Sequence, residues 1–311
     1  MLTTLLTPLG GLMAALAAVT TFYIFMWWTA VTRSTARESA IEIGTGFGTN
    51  FFDTLGIGSF APTTAIFKFF KMVPDRLIPG TLNVGHTLPT VAQAFIYTAI
   101  IEVDPLTLIL MIAAAVAGAW LGAGVVAGLP KRKVQLGMGS ALLVAAVLFA
   151  WRNMVETGML AGAGAALVTG GAGAGTLDLS GMKLAIGLAG NFALGALMTL
   201  GIGLYAPCMI LVGLLGMNAK AAFPIMMGSC AFLMPIASAK FVREHAYSTR
   251  QALALGIGGI PAVLIAAFIV REMQLSAVRW LVVVVVLIAA VMMLKSAFSP
   301  DEASDEKPAR A

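Results

Sequence analysis

Apolar residues fall along this chain in long blocks separated by short polar turns. Seven blocks are long enough to cross a hydrocarbon core of about 30 Å as helices. They are Leu9–Val31, Gly80–Ile101, Pro105–Leu129, Val134–Trp151, Ala221–Phe241, Ala252–Val270 and Val278–Leu294. Two further apolar segments are interrupted by glycine and proline, at Thr54-Leu-Gly-Ile-Gly-Ser-Phe-Ala-Pro62 and at Thr199-Leu-Gly-Ile-Gly-Leu-Tyr-Ala-Pro207. The pattern predicts an all-α polytopic membrane protein, with broken or re-entrant helices at the two interruptions.

The interruptions are copies of one another. At an offset of 145 residues they agree at seven of nine positions, Met72 falls on Met217 and Pro79 on Pro224, and the apolar blocks keep the same register. This predicts two membrane repeats, residues 1–152 and 153–298, followed by a polar cytoplasmic tail, residues 299–311. Internal repeats of this kind are a common transporter design.

Composition agrees with a lipid environment, since 59% of the 311 residues are hydrophobic and 11% charged. Such a chain cannot cover a water-exposed surface. The first block lacks a basic leader and a small-residue cleavage pattern, so it reads as a retained helix. The net charge of +5 sits in short loops, where it reports orientation during insertion and implies no nucleic-acid partner. Pro130-Lys-Arg-Lys133 against Glu102 and Asp104 puts residues 130–133 in the cytoplasm. Arg33, Arg37, Lys71 and Arg76 follow them if residues 41–73 dip in and return. Lys240, Arg243 and Arg250 belong to the same side if the Gly-rich stretch 158–176 does not cross, which makes the repeats inverted with about seven full spans. If it crosses, the repeats are parallel; the loop charges favour inversion.

Each interruption reads as a half-helix, a Gly-x-Gly turn and a proline that opens a second half-helix. The candidate substrate-binding positions are therefore Gly56, Gly58, Ser59, Pro62, Thr63 and Thr64 in the first copy and Gly201, Gly203, Pro207 and Cys208 in the second. Free N–H groups at a helix start carry roughly half a positive charge and suit a small anion. The preceding half-helices offer carbonyls near Thr54 and Thr199, which suit a cation instead, but no repeated membrane carboxylate supports that alternative. Leu204, Cys208 and Met209 stand where the first copy has Ser59, Thr63 and Thr64, so polar recognition is weighted to the first copy.

Polar residues inside the blocks complete the candidates: Asn83, His86 and Ser229, with Asn50, Asp53, Gln93 and Asn191 nearby in the pattern. His86 titrates near neutral pH and suits substrate protonation or proton coupling; bonding between helices is the plainer role for it and for Asn83. Asp53 reads as a helix-bridging or helix-ending residue rather than a proton carrier. Lys68 and Lys71 reach toward the cytoplasmic surface. Cys208 and Cys230 lack metal or redox spacing and read as free thiols. Gly170-Gly-Ala-Gly-Ala-Gly175 lacks the ending of a phosphate loop, and no catalytic or metal cluster is visible, so no enzyme activity and no cofactor are expected.

At the two Gly-x-Gly…Pro motifs the sequence resembles the sulfite exporter TauE/SafE family, also described as four-toluene sulfonate uptake permeases. Gly56, Gly58, Pro62, Gly201, Gly203 and Pro207 carry the resemblance, together with Pro79 and Pro224. It implies transport of sulfite or an organosulfonate such as sulfoacetate across the bacterial inner membrane, usually outward. The expected function is secondary transport by alternating access, with an anion channel or a cation-coupled carrier of another small anion as alternatives. The expected partners are the small anion, the bilayer and, for a homodimer, a second copy.

Overall fold

The computed structural model describes residues 7–32, 39–126, 131–156, 175–198 and 204–298. Gly201, Gly203, most of 158–176 and the tail lie outside the described residues. The helices are α1 (Pro8–Val31), α2 (Ala40–Thr54), α3 (Phe60–Phe69), α4 (Ile78–Ile100), α5 (Pro105–Val126), α6 (Lys131–Glu156), α7 (Gly181–Met198), α8 (Tyr205–Leu214), α9 (Ala222–Arg243), α10 (Thr249–Glu272) and α11 (Leu275–Ala297). Five described segments, in α1, α7, α9, α10 and α11, are long and apolar enough to cross a membrane. This is a multi-pass membrane protein.

The order of elements repeats. Helices α3 and α8 each have ten residues and start 145 positions apart, and short 3-10 turns, Asp75–Leu77 and Ala219–Ala221, precede α4 and α9. Ten helical residues rise about 15 Å, half of a hydrocarbon core. Both short helices end in the same way. Met72 N–H donates to Phe67 O at 2.9 Å around left-handed Lys71 (φ 50°), and Met217 N–H donates to Val212 O at 3.2 Å around Gly216 (φ 88°). These are paired six-to-one closures of a helix C-terminus.

Side-chain contacts fix the direction of each helix. Thr87 Oγ1 lies 3.1 Å from Ser238 Oγ, and the ring of Tyr97 stacks on Phe223 at 5.1 Å, so α4 and its repeat counterpart α9 are antiparallel. Gln135 Nε2 donates to Ser296 Oγ at 3.3 Å while Gly139 meets Leu294 and Ala290, so α6 and α11 are antiparallel too. Counterparts that run in opposite directions are what an inverted repeat requires. By contrast α2 runs parallel to α10, with Glu42 bonded to Arg250 and Asn50 to Leu255 O. In the same way α7 runs parallel to α5, with Gly187 and Asn191 at Met111 and Gly195 at Ala115. Each repeat thus packs its broken helix on a full-length helix of the other. A Cβ at Gly195 would overlap Ala115 O and one at Gly118 would overlap Phe192 O, so glycine permits this approach of α5 and α7.

The starts of α2, α4 and α10 share one face with Arg76, Lys240, Arg243 and Arg250. The opposite face holds Glu102, Asp104 and residues 175–180, where Asp104 N–H donates to Leu177 O at 2.9 Å and Leu179 N–H to Thr107 Oγ1 at 3.1 Å. Helices α2 and α3 enter from the basic face and return to it. Helices α7 and α8 enter from the opposite face, to which Gly216 returns to bond Thr176 at 3.1 Å. Among the described helices, α1, α4, α5, α6, α9, α10 and α11 run from one face toward the other.

Candidate functional site

The turn of the first hairpin meets the start of α8 inside the bundle. Helix α2 is closed by Gly56, whose N–H donates to Asp53 O at 2.8 Å, and by Ile57, whose N–H donates to Phe52 O at 3.1 Å. Gly56 and Gly58 have φ of 100° and 89°, a region that side chains disfavour, which accounts for glycine at both positions of the first motif. Gly56 lies against the thioether of Met209 on α8, with Met226 of α9 behind it. Helix α3 begins at Phe60 and α8 at Tyr205, so Pro62 and Pro207 stand in the first turn and do not open the helix as the motif alone implied. Proline is accepted there because its missing N–H would have no intrahelical partner. Phe60 and Ala61, and Tyr205 and Ala206, form the first turns of α3 and α8, where N–H groups have no partner within the helix.

A polar chain runs through the junction. Asn50 Nδ2 donates to Gly46 O at 2.7 Å, which leaves Asn50 Oδ1 to accept from Nδ1–H of His86 at 2.9 Å. Nε2 of His86 lies 3.1 Å from Thr63 Oγ1, and that hydroxyl lies 2.7 Å from Ser59 O. Ser59 lies beside the carboxyl group of Asp53. Gln93 Nε2 donates to Asp53 Oδ2 and to Thr54 Oγ1, both at 2.9 Å, and Gln93 Oε1 accepts from Tyr205 O–H at 3.1 Å. Tyr97 O–H closes the network on Thr54 O at 3.1 Å. Asp53 is 3% exposed and His86 0%, so every one of these groups is withdrawn from solvent.

The structure brings together Gly56, Gly58, Ser59, Pro62, Thr63 and His86 at the first tip. Thr64 turns its hydroxyl back onto Phe60 O at 2.8 Å and takes no part. Asn83 donates to Pro79 O at 2.9 Å, away from the junction. Pro207 and Cys208 are buried in the second hairpin, where Cys208, like Cys230, is a free thiol. Ser229 belongs to a separate cluster, accepting from Asn191 Nδ2 at 3.3 Å, while the same amide donates to Met111 O at 2.7 Å. Thr54, marked in the sequence only for its carbonyl, joins the junction, and Tyr205 and Tyr97 complete it without having stood out as candidates. The available signal was at Tyr205, where the repeated motif exchanges Ser-Phe for Leu-Tyr and moves its hydroxyl from one residue to the next. The second copy therefore contributes a polar group after all.

The carbonyls expected to suit a cation are already occupied in the first copy: those of Phe52, Asp53 and Thr54 accept from Ile57, Gly56 and Tyr97. A cavity of about 220 Å³ lies on the face opposite the basic one, bounded by Glu102, Leu177, Asn218, Lys220 and Arg271, and is separate from the junction.

Fold and junction define a class: a multi-pass helical membrane protein in which two inverted hairpins meet within the bundle. Comparison of the chain with protein-family models, with curated proteins and with solved structures returns no match.

Proposed function

We propose that the chain is a secondary transporter of a small anion, with a sulfur oxyanion such as sulfite or sulfoacetate as the substrate class. The observation that supports this reading is the meeting of two half-helix N-termini, entering from opposite faces, at a buried polar junction. Broken backbone in hydrocarbon is costly unless protein or a water-filled cavity receives it, and donors at helix starts favour negative charge. The substrate class comes from the resemblance at the Gly-x-Gly…Pro motifs. The chain sits in the bacterial inner membrane with its basic face, and so its C-terminus, toward the cytoplasm, an orientation that the Lys and Arg of that face support. Alternating access moves the hairpins and their packing partners against the remaining helices, and export is the usual direction in proteins that the motifs resemble.

The test is counterflow in proteoliposomes with labelled sulfoacetate and sulfite. Saturable uptake, accelerated by unlabelled anion inside and lost in Ser59→Leu protein that still folds, is the expected result. Large unitary currents in a planar bilayer would replace the carrier with a channel. No flux of either anion in any gradient would remove the sulfur-anion reading.

A further inference from the structure

The helix start that makes the first tip attractive to an anion already has an acidic group beside it, the carboxyl of Asp53. The carboxyl group accepts from Gln93 Nε2 at 2.9 Å, and Ser59, at the start of α3, lies beside it. Among the described residues no lysine or arginine pairs with it. The titratable groups that face it are Tyr97 on α4, Tyr205 on α8 and Cys230 on α9, none of which is cationic. Residues 199–203, which precede α8, contain no basic side chain either. A substrate anion placed against the same helix start would lie beside Asp53 in a medium of low dielectric, and two adjacent negative charges there repel far more strongly than in water.

Resting on the anion reading above, we infer that Asp53 is a proton-binding group that stands in for the substrate: its carboxylate holds the donors of the α3 start while the site is empty, and takes up a proton when the anion replaces it. For a monovalent anion the balance is one proton and one anion in, with a carboxylate converted to a carboxylic acid, so the junction carries a single negative charge before and after; a divalent anion such as sulfoacetate would leave one further negative charge. Gln93 suits both states. Its amide donates to Asp53 Oδ2 and Thr54 Oγ1 while its carbonyl is held by Tyr205, so the carboxyl group keeps a partner when its charge is lost. A monovalent anion then crosses with a proton and no net charge, and the pH gradient, not the membrane potential, acts on the cycle.

The experiment uses purified full-length protein and methanesulfonate, a monovalent anion with no titration of its own near neutrality. Calorimetry gives its affinity from mildly acidic to mildly alkaline pH, and an indicator in weak buffer gives the protons taken up. Coupling predicts about one proton bound per anion and an affinity that falls about tenfold per pH unit on the alkaline limb. Asp53→Asn protein should bind at all pH values as the wild type does in acid, with no proton uptake. Binding by the wild type without proton uptake overturns the coupling and leaves the anion reading intact, a result that needs no variant to fold. Absence of binding by methanesulfonate, sulfite and sulfoacetate alike overturns both.

Discussion

The hydroxyl of Tyr205, at the start of α8, lies 3.1 Å from Oε1 of Gln93 on α4, which ties the tip of the second hairpin to a helix of the first repeat. Gln93 is fully used, with both amide hydrogens on Asp53 and Thr54. Tyr205→Phe keeps the ring and removes the donor, leaving a buried carbonyl unpaired. A cost of about 1–3 kcal/mol follows. Thermal unfolding in detergent should therefore show a lower midpoint for Tyr205→Phe, and counterflow should slow because the two tips are no longer joined. An unchanged midpoint would mean that water takes the place of the hydroxyl.

That pair also shows where sequence reading stops. The Gly-x-Gly and Pro signals are local, so the two half-helices, their offset and their entry into the bundle were all available from the chain. Topology was available too, because Arg76, Lys240, Arg243 and Arg250 mark one face. Tyr205 and Gln93 are 112 residues apart and meet only because hairpins from opposite faces touch, a consequence of packing that no local pattern carries. Asn83 misled for the complementary reason: it lies one turn from His86 in sequence, yet it bonds its own helix at Pro79.

Asn50 and Thr63 flank His86, but their loss should differ. Asn50 joins three helices, bonding Gly46 O on α2, His86 on α4 and, at 3.4 Å, Leu255 O on α10. Thr63→Val removes the hydroxyl beside Nε2 of His86, while Ser59 O keeps the Thr63 N–H at 3.1 Å. Asn50→Ala should cost about 2–4 kcal/mol, as an unpaired buried histidine nitrogen and a cavity combine, and Thr63→Val about 1 kcal/mol. The ranking is read from unfolding midpoints. Equal losses would show that the imidazole is held by its packing against Phe60 rather than by Asn50.

At the basic face Glu42 receives Ser39 N–H and Arg250 Nε at 2.8 and 2.9 Å and Gln251 Nε2 at 2.7 Å. Burial alone pushes its carboxyl up, but these donors and the Arg250 charge outweigh it and hold the group below its ordinary value of 4.5. A depressed carboxylate contributes stability that is complete above the ordinary value and lost as pH falls through the folded one. Wild-type protein should therefore lose stability on acidification below about pH 4.5, and Glu42→Gln should flatten that limb. The comparison is made by unfolding midpoint against pH. Parallel curves for the two proteins would assign the acid limb to other carboxylates.

The two glycines of the first motif separate backbone strain from crowding. Gly58 has φ of 89° with open space around the position of a Cβ, so Gly58→Ala meets only the cost of a left-handed backbone, about 1–2 kcal/mol. Gly56 has φ of 100°, and its Cβ would also stand 2.7 Å from Cε of Met209, the flexible end of a side chain from the other hairpin. Gly56→Ala should therefore cost more than Gly58→Ala. The excess measures how firmly the tips are pressed together, because a loose contact lets the thioether swing aside. Met209→Ala destabilises by itself, so the excess is isolated by a double-mutant cycle of Gly56→Ala with Met209→Ala. A coupling of about 0.5–2 kcal/mol in the direction of rescue is expected. A cycle that closes with no coupling would mean that the thioether swings aside freely and that the two hairpins are only loosely pressed together at the Gly56–Met209 contact.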